Sequence, residues 1–208
     1  LPTPGVSYLA NSNNQVGLVI SASHNLFEDN GIKFFNKNGQ KFSEELEKRI
    51  EVKLTEEMVP VDSINLGKAT RMSDAQERYI EFCKLPFTDL DLSDLNILLD
   101  CANGATYSVA PKVFKELGAN IETVAANPDG ININQNCGST NPDFLKDQMS
   151  KGNYDMGIAF DGDGDRILII SSEGNILDGD DILFILSQKL LPNSGVVGTL
   201  MTNKALEL

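Results

Sequence analysis

Two short apolar runs, Tyr154 to Phe160 and Ile167 to Ile170, flank the stretch Asp161-Gly162-Asp163-Gly164-Asp165-Arg166. Both runs have the length and apolar character of buried strands, so the acidic stretch between them reads as a strand-to-strand turn. The fold is thereby constrained: two neighbouring strands must present three aspartates at one end. In extended backbone, side chains at i, i+2 and i+4 share one side, and Gly162 and Gly164 leave room for tight curvature. Asp161, Asp163 and Asp165 can then converge on a hard divalent cation. Magnesium suits such a set, because it takes oxygen ligands octahedrally and keeps positions open for water or a substrate phosphate. The plain alternative is a solvated acidic turn.

Two other readings can be checked against the residues. An EF-hand loop beginning at Asp161 needs Gly at its sixth position and Glu at its twelfth, where this chain has Arg166 and Ser172, so that reading fails. A phosphatase of the haloacid-dehalogenase kind, with Asp161 as nucleophile, also begins Asp-x-Asp after a strand. There the next element is not normally another strand, and Thr or Val usually stands where Asp165 stands here. It is the second reading.

The chain has 208 residues, 41% of them hydrophobic, enough for more than one compact unit. No apolar run approaches the roughly 20 residues of a membrane span, and no basic-apolar signal pattern opens the chain; a soluble, cytoplasmic protein is expected. Cys83, Cys101 and Cys137 are odd in number and widely spaced, which favours free thiols in a reducing compartment. A net charge of −13 argues against nucleic acid or an anionic membrane surface as partner. An anionic substrate such as a phosphate ester would need local cations to override that field, and the candidates are the metal, Arg166 and Lys33. With no initiator Met and no terminal signal, the chain reads as part of a longer protein.

Gly17 to Ser21 and Ile32 to Asn36 read as strands, the second closed by Asn38-Gly39. Ser43 is a plausible N-cap for a helix whose apolar stripe is Leu46, Ile50 and Leu54. Residues 55–72 read as a linker. Ser73 and Gln76 have capping-box spacing before a helix through Tyr79, Phe82 and Cys83. A βαβ pattern follows: a strand from Leu95 to Asp100, a helix capped by Thr106 with Val109, Val113, Phe114 and Leu117 inward and Gly118 as stop, and a strand from Ile121 to Ala125. A helix from about Pro142, with Leu145 and Met149 inward, leads to the strand bearing the aspartates. Beyond it, Asp180-Asp181 start a helix with Ile182, Leu183, Leu186 and Leu190 as core, Pro192 ends it, and Gly195 to Leu200 reads as a new strand.

Between the first two strands lies Ser21-Ala22-Ser23-His24-Asn25-Leu26, with the chain's single histidine. A Ser-His pair suggests a hydrolase, but adjacent residues in extended backbone point to opposite faces and no Gly-x-Ser-x-Gly elbow surrounds Ser23. A capped turn or a satisfied loop histidine is the plain alternative. Taken with Asn30-Gly31-Ile32-Lys33 and Asp161-Gly162-Asp163-Gly164-Asp165-Arg166, this loop resembles the α-D-phosphohexomutases. In that family an Ala-Ser-His-Asn loop carries a phosphorylated serine and an Asp-Gly-Asp-Gly-Asp-Arg loop binds magnesium. The segments Gly31-Ile32-Lys33-Phe34-Phe35 and Ile133-Asn134-Gln135-Asn136-Cys137-Gly138-Ser139-Thr140 look most like the members that act on glucosamine phosphates. Phosphomannomutases and phosphoglucomutases generally differ in the latter. Leu26 stands where the family usually has Pro, which loosens the loop but removes no functional group.

The resemblance implies tandem α/β mixed-sheet domains in an incomplete chain: residues 1–70 from the end of a first domain, 71–175 a whole second domain, and 176–208 the start of a third. It implies a mutase interconverting glucosamine 6-phosphate and glucosamine 1-phosphate, feeding UDP-N-acetylglucosamine and cell-wall precursors. A phosphorylated Ser23 and one Mg2+ held by Ser23, Asp161, Asp163 and Asp165 would carry the reaction, with a hexose 1,6-bisphosphate as primer. Lys33 and Arg166 would attend the phosphates, and His24 and Asn25 would shape the loop or touch the phosphoserine. Ser21 is a competing hydroxyl. The resemblance leaves a homodimer open, and a metal-binding domain without chemistry is the remaining alternative.

Overall fold

The computed structural model describes residues 1–190 and 195–204. It opens with helix α1 (Thr3–Asn13), which the sequence reading does not anticipate. Pro4 presets its first turn and Asn14, at φ 54°, ends it. Val6 and Ala10 pack toward Val19 and Phe35, and Tyr8 toward Tyr79, too few apolar positions to stand out as a stripe. Strands β1 (Gly17–Ser21) and β2 (Gly31–Phe35) follow and pair antiparallel, with Gly17 opposite Phe35 and Ser21 opposite Gly31. Alternation sets Val19 and Phe35 against Val6 and Ala10 of α1. The connection 22–30 therefore leaves the ribbon at one end, carrying Ser23.

Helix α2 (Glu44–Thr55) begins as expected, with the Ser43 side chain accepting from the Leu46 N–H. Its apolar stripe, however, is not buried: no residue of α2 is, and Leu54 is 76% exposed. Residues 56–72 are exposed and hold only one 3₁₀ turn.

Helix α3 (Ala75–Lys84) starts after Asp74 without a side-chain cap. The expected capping box does not form, because the Gln76 amide donates to Ser108 O at 2.8 Å; a tertiary acceptor displaces the local one. Tyr79 and Ile80 pack on Val109 beside Tyr8 and Val113, and Tyr8 stacks on Phe82 with centroids 4.2 Å apart. These contacts fasten α1, and the ribbon it covers, to the rest of the molecule.

The remaining elements are β3 (Asn96–Asp100), α4 (Ala110–Glu116), β4 (Asn120–Val124), α5 (Pro142–Met149), β5 (Met156–Phe160), β6 (Ile167–Ser171), β7 (Ile176–Leu177) and α6 (Gly179–Leu190). They build a sheet of order β4-β3-β5-β6-β7. Strand β3 runs parallel to β4 and β5, while β5–β6 and β6–β7 are antiparallel. The expected mixed α/β class holds. Ile97, Leu99 and Ile158 face α4 through Ala110 and Phe114; Leu98, Ala159 and Ile170 face α5 through Leu145. As a central strand covered on both sides, β3 is apolar throughout its middle.

Thr106 does not cap α4, which starts four residues later; its hydroxyl donates to Cys101 O at 3.5 Å. Gly118, at φ +102°, stops the helix as expected. The short β7, two residues with no strand signal of their own, carries the sheet past residue 175. No residue of α6 is buried, so Ile182, Leu183, Leu186 and Leu190 are not core. Residues 195–200 form no strand, and Pro192 lies outside the described residues. All three cysteines are free. No helix among the described residues is long and apolar enough to cross a membrane.

Candidate active site

The hairpin β5–β6 closes with Phe160 opposite Ile167, and the acidic turn spans the gap. Asp161 shapes that turn, its Oδ1 accepting the N–H groups of Asp165 and Arg166 at 3.1 Å each. The residue is fully buried, and its Oδ2 has no hydrogen-bond partner. Burial pushes its pKa up to about 6. A fully buried carboxylate tied into its own turn is badly placed to attack a substrate, which weakens the aspartyl-phosphate reading.

Asp163 is where the two sheets meet. Its Oδ2 accepts from Thr3 Oγ1 and from Lys33 Nζ, both at 2.6 Å, and its Oδ1 accepts from Ser23 Oγ at 3.1 Å. Burial by itself would raise the Asp163 pKa, but hydrogen bonds from Lys33 and Thr3, the Lys33 charge and the Ser23 hydroxyl hold it below the ordinary carboxylate value. For Lys33, desolvation pulls the pKa down, and the Asp163 and Asp165 carboxylates outweigh it, so the ammonium form is favoured. Asp165 is more open and lies 3.5 Å from Lys33 Nζ.

One carboxylate oxygen from each of Asp161, Asp163 and Asp165 falls within 4.8 Å of the others. The donor set is all oxygen and includes a buried oxygen with nothing bonded to it, which fits a hard divalent cation.

Ser23 sits in a left-handed conformation, φ 53°, uncommon for a residue with a side chain. Its N–H donates to Ser21 Oγ at 2.9 Å, so the Ser21 hydroxyl is engaged in forming the turn. From the second sheet's side, Asn134 Nδ2 donates to Ser23 O at 2.8 Å and to Asn25 O at 2.7 Å. Gly162 permits this approach: a Cβ there would lie 2.6 Å from Ser23 O. His24 Nδ1 is buried without a partner, so no Ser-His dyad operates through that nitrogen. The Arg166 side chain is half exposed at the rim, where its Nε forms a long ion pair with Asp165 Oδ1 at 4.0 Å.

Sequence reasoning thus finds Ser23, Lys33 and the three aspartates, which the fold assembles, and Arg166, which lies at their edge. It misses Thr3, because α1 carries no clear periodic signal. Asp100 reads from the sequence only as a strand end. It is fully buried, its oxygens accept from Ala102 N at 2.9 Å and Gly138 N at 2.6 Å, and burial raises its pKa to about 6.

Two family models match the chain: "Phosphoglucomutase/phosphomannomutase, alpha/beta/alpha domain I" over residues 1–59 and "domain II" of the same description over residues 77–174. A phosphoglucosamine mutase of Legionella pneumophila strain Corby is 51% identical over all of this chain and 47% of its own length. The chain therefore spans about half the length of the curated relatives it matches. Among solved structures, a phosphoglucomutase/phosphomannomutase family protein of Burkholderia thailandensis is 25% identical with a TM-score of 0.70, covering 92% of this chain and 43% of that one. An N-acetylphosphoglucosamine mutase of Aspergillus fumigatus, solved with GlcNAc-6P and magnesium, is 20% identical with a TM-score of 0.52 over 89% of this chain and 50% of that one, a likeness of fold.

Proposed function

Since the chain belongs to the phosphoglucomutase/phosphomannomutase family, we propose that it is the phosphoserine- and metal-bearing part of a phosphoglucosamine mutase. Residues 1–70 would end a first domain, 71–175 form a second and 176–208 begin a third. The observation that carries this reading is the Ser23 hydroxyl at 3.1 Å from Asp163 Oδ1, beside Lys33 and at the mouth of the aspartate cluster. The choice of glucosamine rests on the 51% identity to the Legionella enzyme.

Ser23 Oγ is the phosphoryl carrier. The O1 hydroxyl of glucosamine 6-phosphate attacks the phosphorus of phospho-Ser23, the P–Oγ bond breaks, and the proton that O1 gives up is taken by Oγ, which is left as the free hydroxyl. The resulting 1,6-bisphosphate turns over in the cleft. Ser23 Oγ then attacks the 6-phosphorus and gives up its proton, the O6–P bond breaks, O6 takes up a proton in turn, and glucosamine 1-phosphate departs. A hexose 1,6-bisphosphate would first load Ser23. Phosphoryl transfer depends on alignment and on neutralising the equatorial oxygens. Mg2+ held by Asp161, Asp163, Asp165 and an oxygen on Ser23 would supply that charge neutralisation. Lys33, held as an ammonium by Asp163 and Asp165, contributes a cation beside the transferred group and a proton donor; Arg166 offers a planar fork to a phosphate. His24 and Asn25 shape the loop.

The test is a coupled assay on the full-length protein with magnesium and a trace of hexose 1,6-bisphosphate, comparing glucosamine, glucose and mannose 6-phosphates, with Ser23→Ala alongside. A glucosamine preference that Ser23→Ala reduces by roughly three orders of magnitude or more is expected. A glucose or mannose preference would overturn the substrate assignment and keep the mechanism; phosphate release untouched by Ser23→Ala would move the chemistry to Asp161.

A further inference from the structure

We propose that Asn134 is a positioning residue for phosphoryl transfer at Ser23, a clamp that holds the serine loop by its main chain in both the phosphorylated and the free form. This deepens the mutase reading and rests on it. The Ser23 hydroxyl can donate to Asp163 only while it carries its hydrogen. Once Oγ bears a phosphoryl group that bond is gone, and another contact must keep the loop in register with the aspartates. The Asn134 amide fulfils the requirement, because both of its bonds go to carbonyl oxygens, Ser23 O at 2.8 Å and Asn25 O at 2.7 Å, which phosphorylation leaves unchanged.

The clamp is itself firmly mounted. Asn134 is 6% exposed and left-handed at φ 56°, a conformation Asn tolerates better than most residues. Its N–H donates to Ala102 O at 2.9 Å. A few residues on, Gly138 N donates to Asp100 Oδ2 at 2.6 Å and Ser139 N to Phe160 O at 2.9 Å. The loop bearing Asn134 is thus pinned to the ends of β3 and β5, and Phe160 directly precedes the first aspartate. Ser23 is located against the same strand end that locates the carboxylates. Among the described residues the serine loop's other hydrogen bonds, Ser23 N to Ser21 Oγ and Asn25 N to Ala22 O, are local, and they fix its shape but not its place. The geometry gives Asn134, within a segment that resembles a marker of sugar preference, a task independent of the sugar.

The experiment uses full-length protein carrying Asn134→Gly, which keeps the left-handed backbone and drops the amide, and Asn134→Asp, which keeps the shape but sets a carboxylate against two carbonyls. Asn136→Gly, in the same loop and exposed, is the control. Expected is a kcat lower by about 10- to 100-fold, the scale of misplacing a reacting group, by the same factor for glucosamine 6-phosphate and glucose 6-phosphate, with KM within about twofold. Amide hydrogen exchange across residues 22–26, measured without substrate, should accelerate in both variants and not in the control. Unchanged kcat and exchange would overturn the proposal, as would a changed sugar ratio at unchanged kcat. If the wild-type protein fails to phosphorylate Ser23, the mutase reading falls, and with it the catalytic task given to Asn134. Exchange would then decide separately whether Asn134 holds the loop.

Discussion

The Ser23 hydroxyl donates to Asp163 Oδ1 at 3.1 Å although the two residues belong to different sheets, one beside a two-stranded ribbon and the other in a hairpin turn. Asp163 therefore serves as the meeting point of the serine, the lysine and the three clustered carboxylates. Asp163→Asn keeps the volume and removes the charge. Its affinity for Mg2+ or Mn2+, read by titration calorimetry, should fall by more than about 100-fold, since even changes in residues that merely orient ligands cost about 10- to 100-fold. Retained affinity would show that these carboxylates do not form the site.

Gly162 marks the closest approach of the turn to the serine loop. A Cβ there meets Ser23 O at 2.6 Å and Ile133 Cδ1 at 2.5 Å. Ile133 can rotate away, but the Ser23 carbonyl is held by Asn134. Gly162→Ala should cost about 1–3 kcal/mol as an overpacked site, measured by denaturant unfolding, and reduce phosphorylation of Ser23 in the same samples.

Leu26, where the sequence resemblance leads to an expectation of Pro, already has φ −73° and ψ 166° and is half exposed. Its N–H has no backbone acceptor among the described residues. Leu26→Pro should therefore stabilise the protein by about 0.4–1 kcal/mol, through a less free unfolded chain. A lower urea midpoint would show that the loop needs a backbone geometry proline cannot give.

Asp100 predicts a pH dependence. Its folded pKa, about 6, lies above the ordinary value of 3.8 because burial disfavours the charge. The folded state then binds the proton more tightly than the unfolded state, so this group's contribution is full below about pH 4 and is lost as pH rises through 6. A shift of that size corresponds to roughly 3 kcal/mol. Unfolding at pH 4.5 and 7 should show wild type losing stability relative to Asp100→Asn across this interval; a constant difference would contradict the burial argument.

Some of the molecule was legible because its signals are local. The hairpin around Asp161, Asp163 and Asp165 follows from two apolar runs and two glycines, and the buried faces of α4 and α5 follow from side-chain spacing. The Ser43 cap needs only its own helix, and it formed. Where a local signal competed with a distant partner, the distant partner won: Gln76 left the Ser73 box for Ser108 O. Where an apolar stripe found nothing to cover it, as with Leu54 in α2, spacing predicted the helix correctly and its burial wrongly.

The sequence by itself determined which residues are the candidates for chemistry: an alternating trio of aspartates and a serine loop followed by Lys33, each a pattern readable along a few residues. Only the tertiary structure decided how they stand to one another. Thr3 reaches Asp163 because α1 packs against the ribbon and against α3, and Asn134 reaches Ser23 because β3 and β5 end side by side. Such contacts are made by side chains distant in the chain, at distances fixed by packing, and no local spacing encodes them.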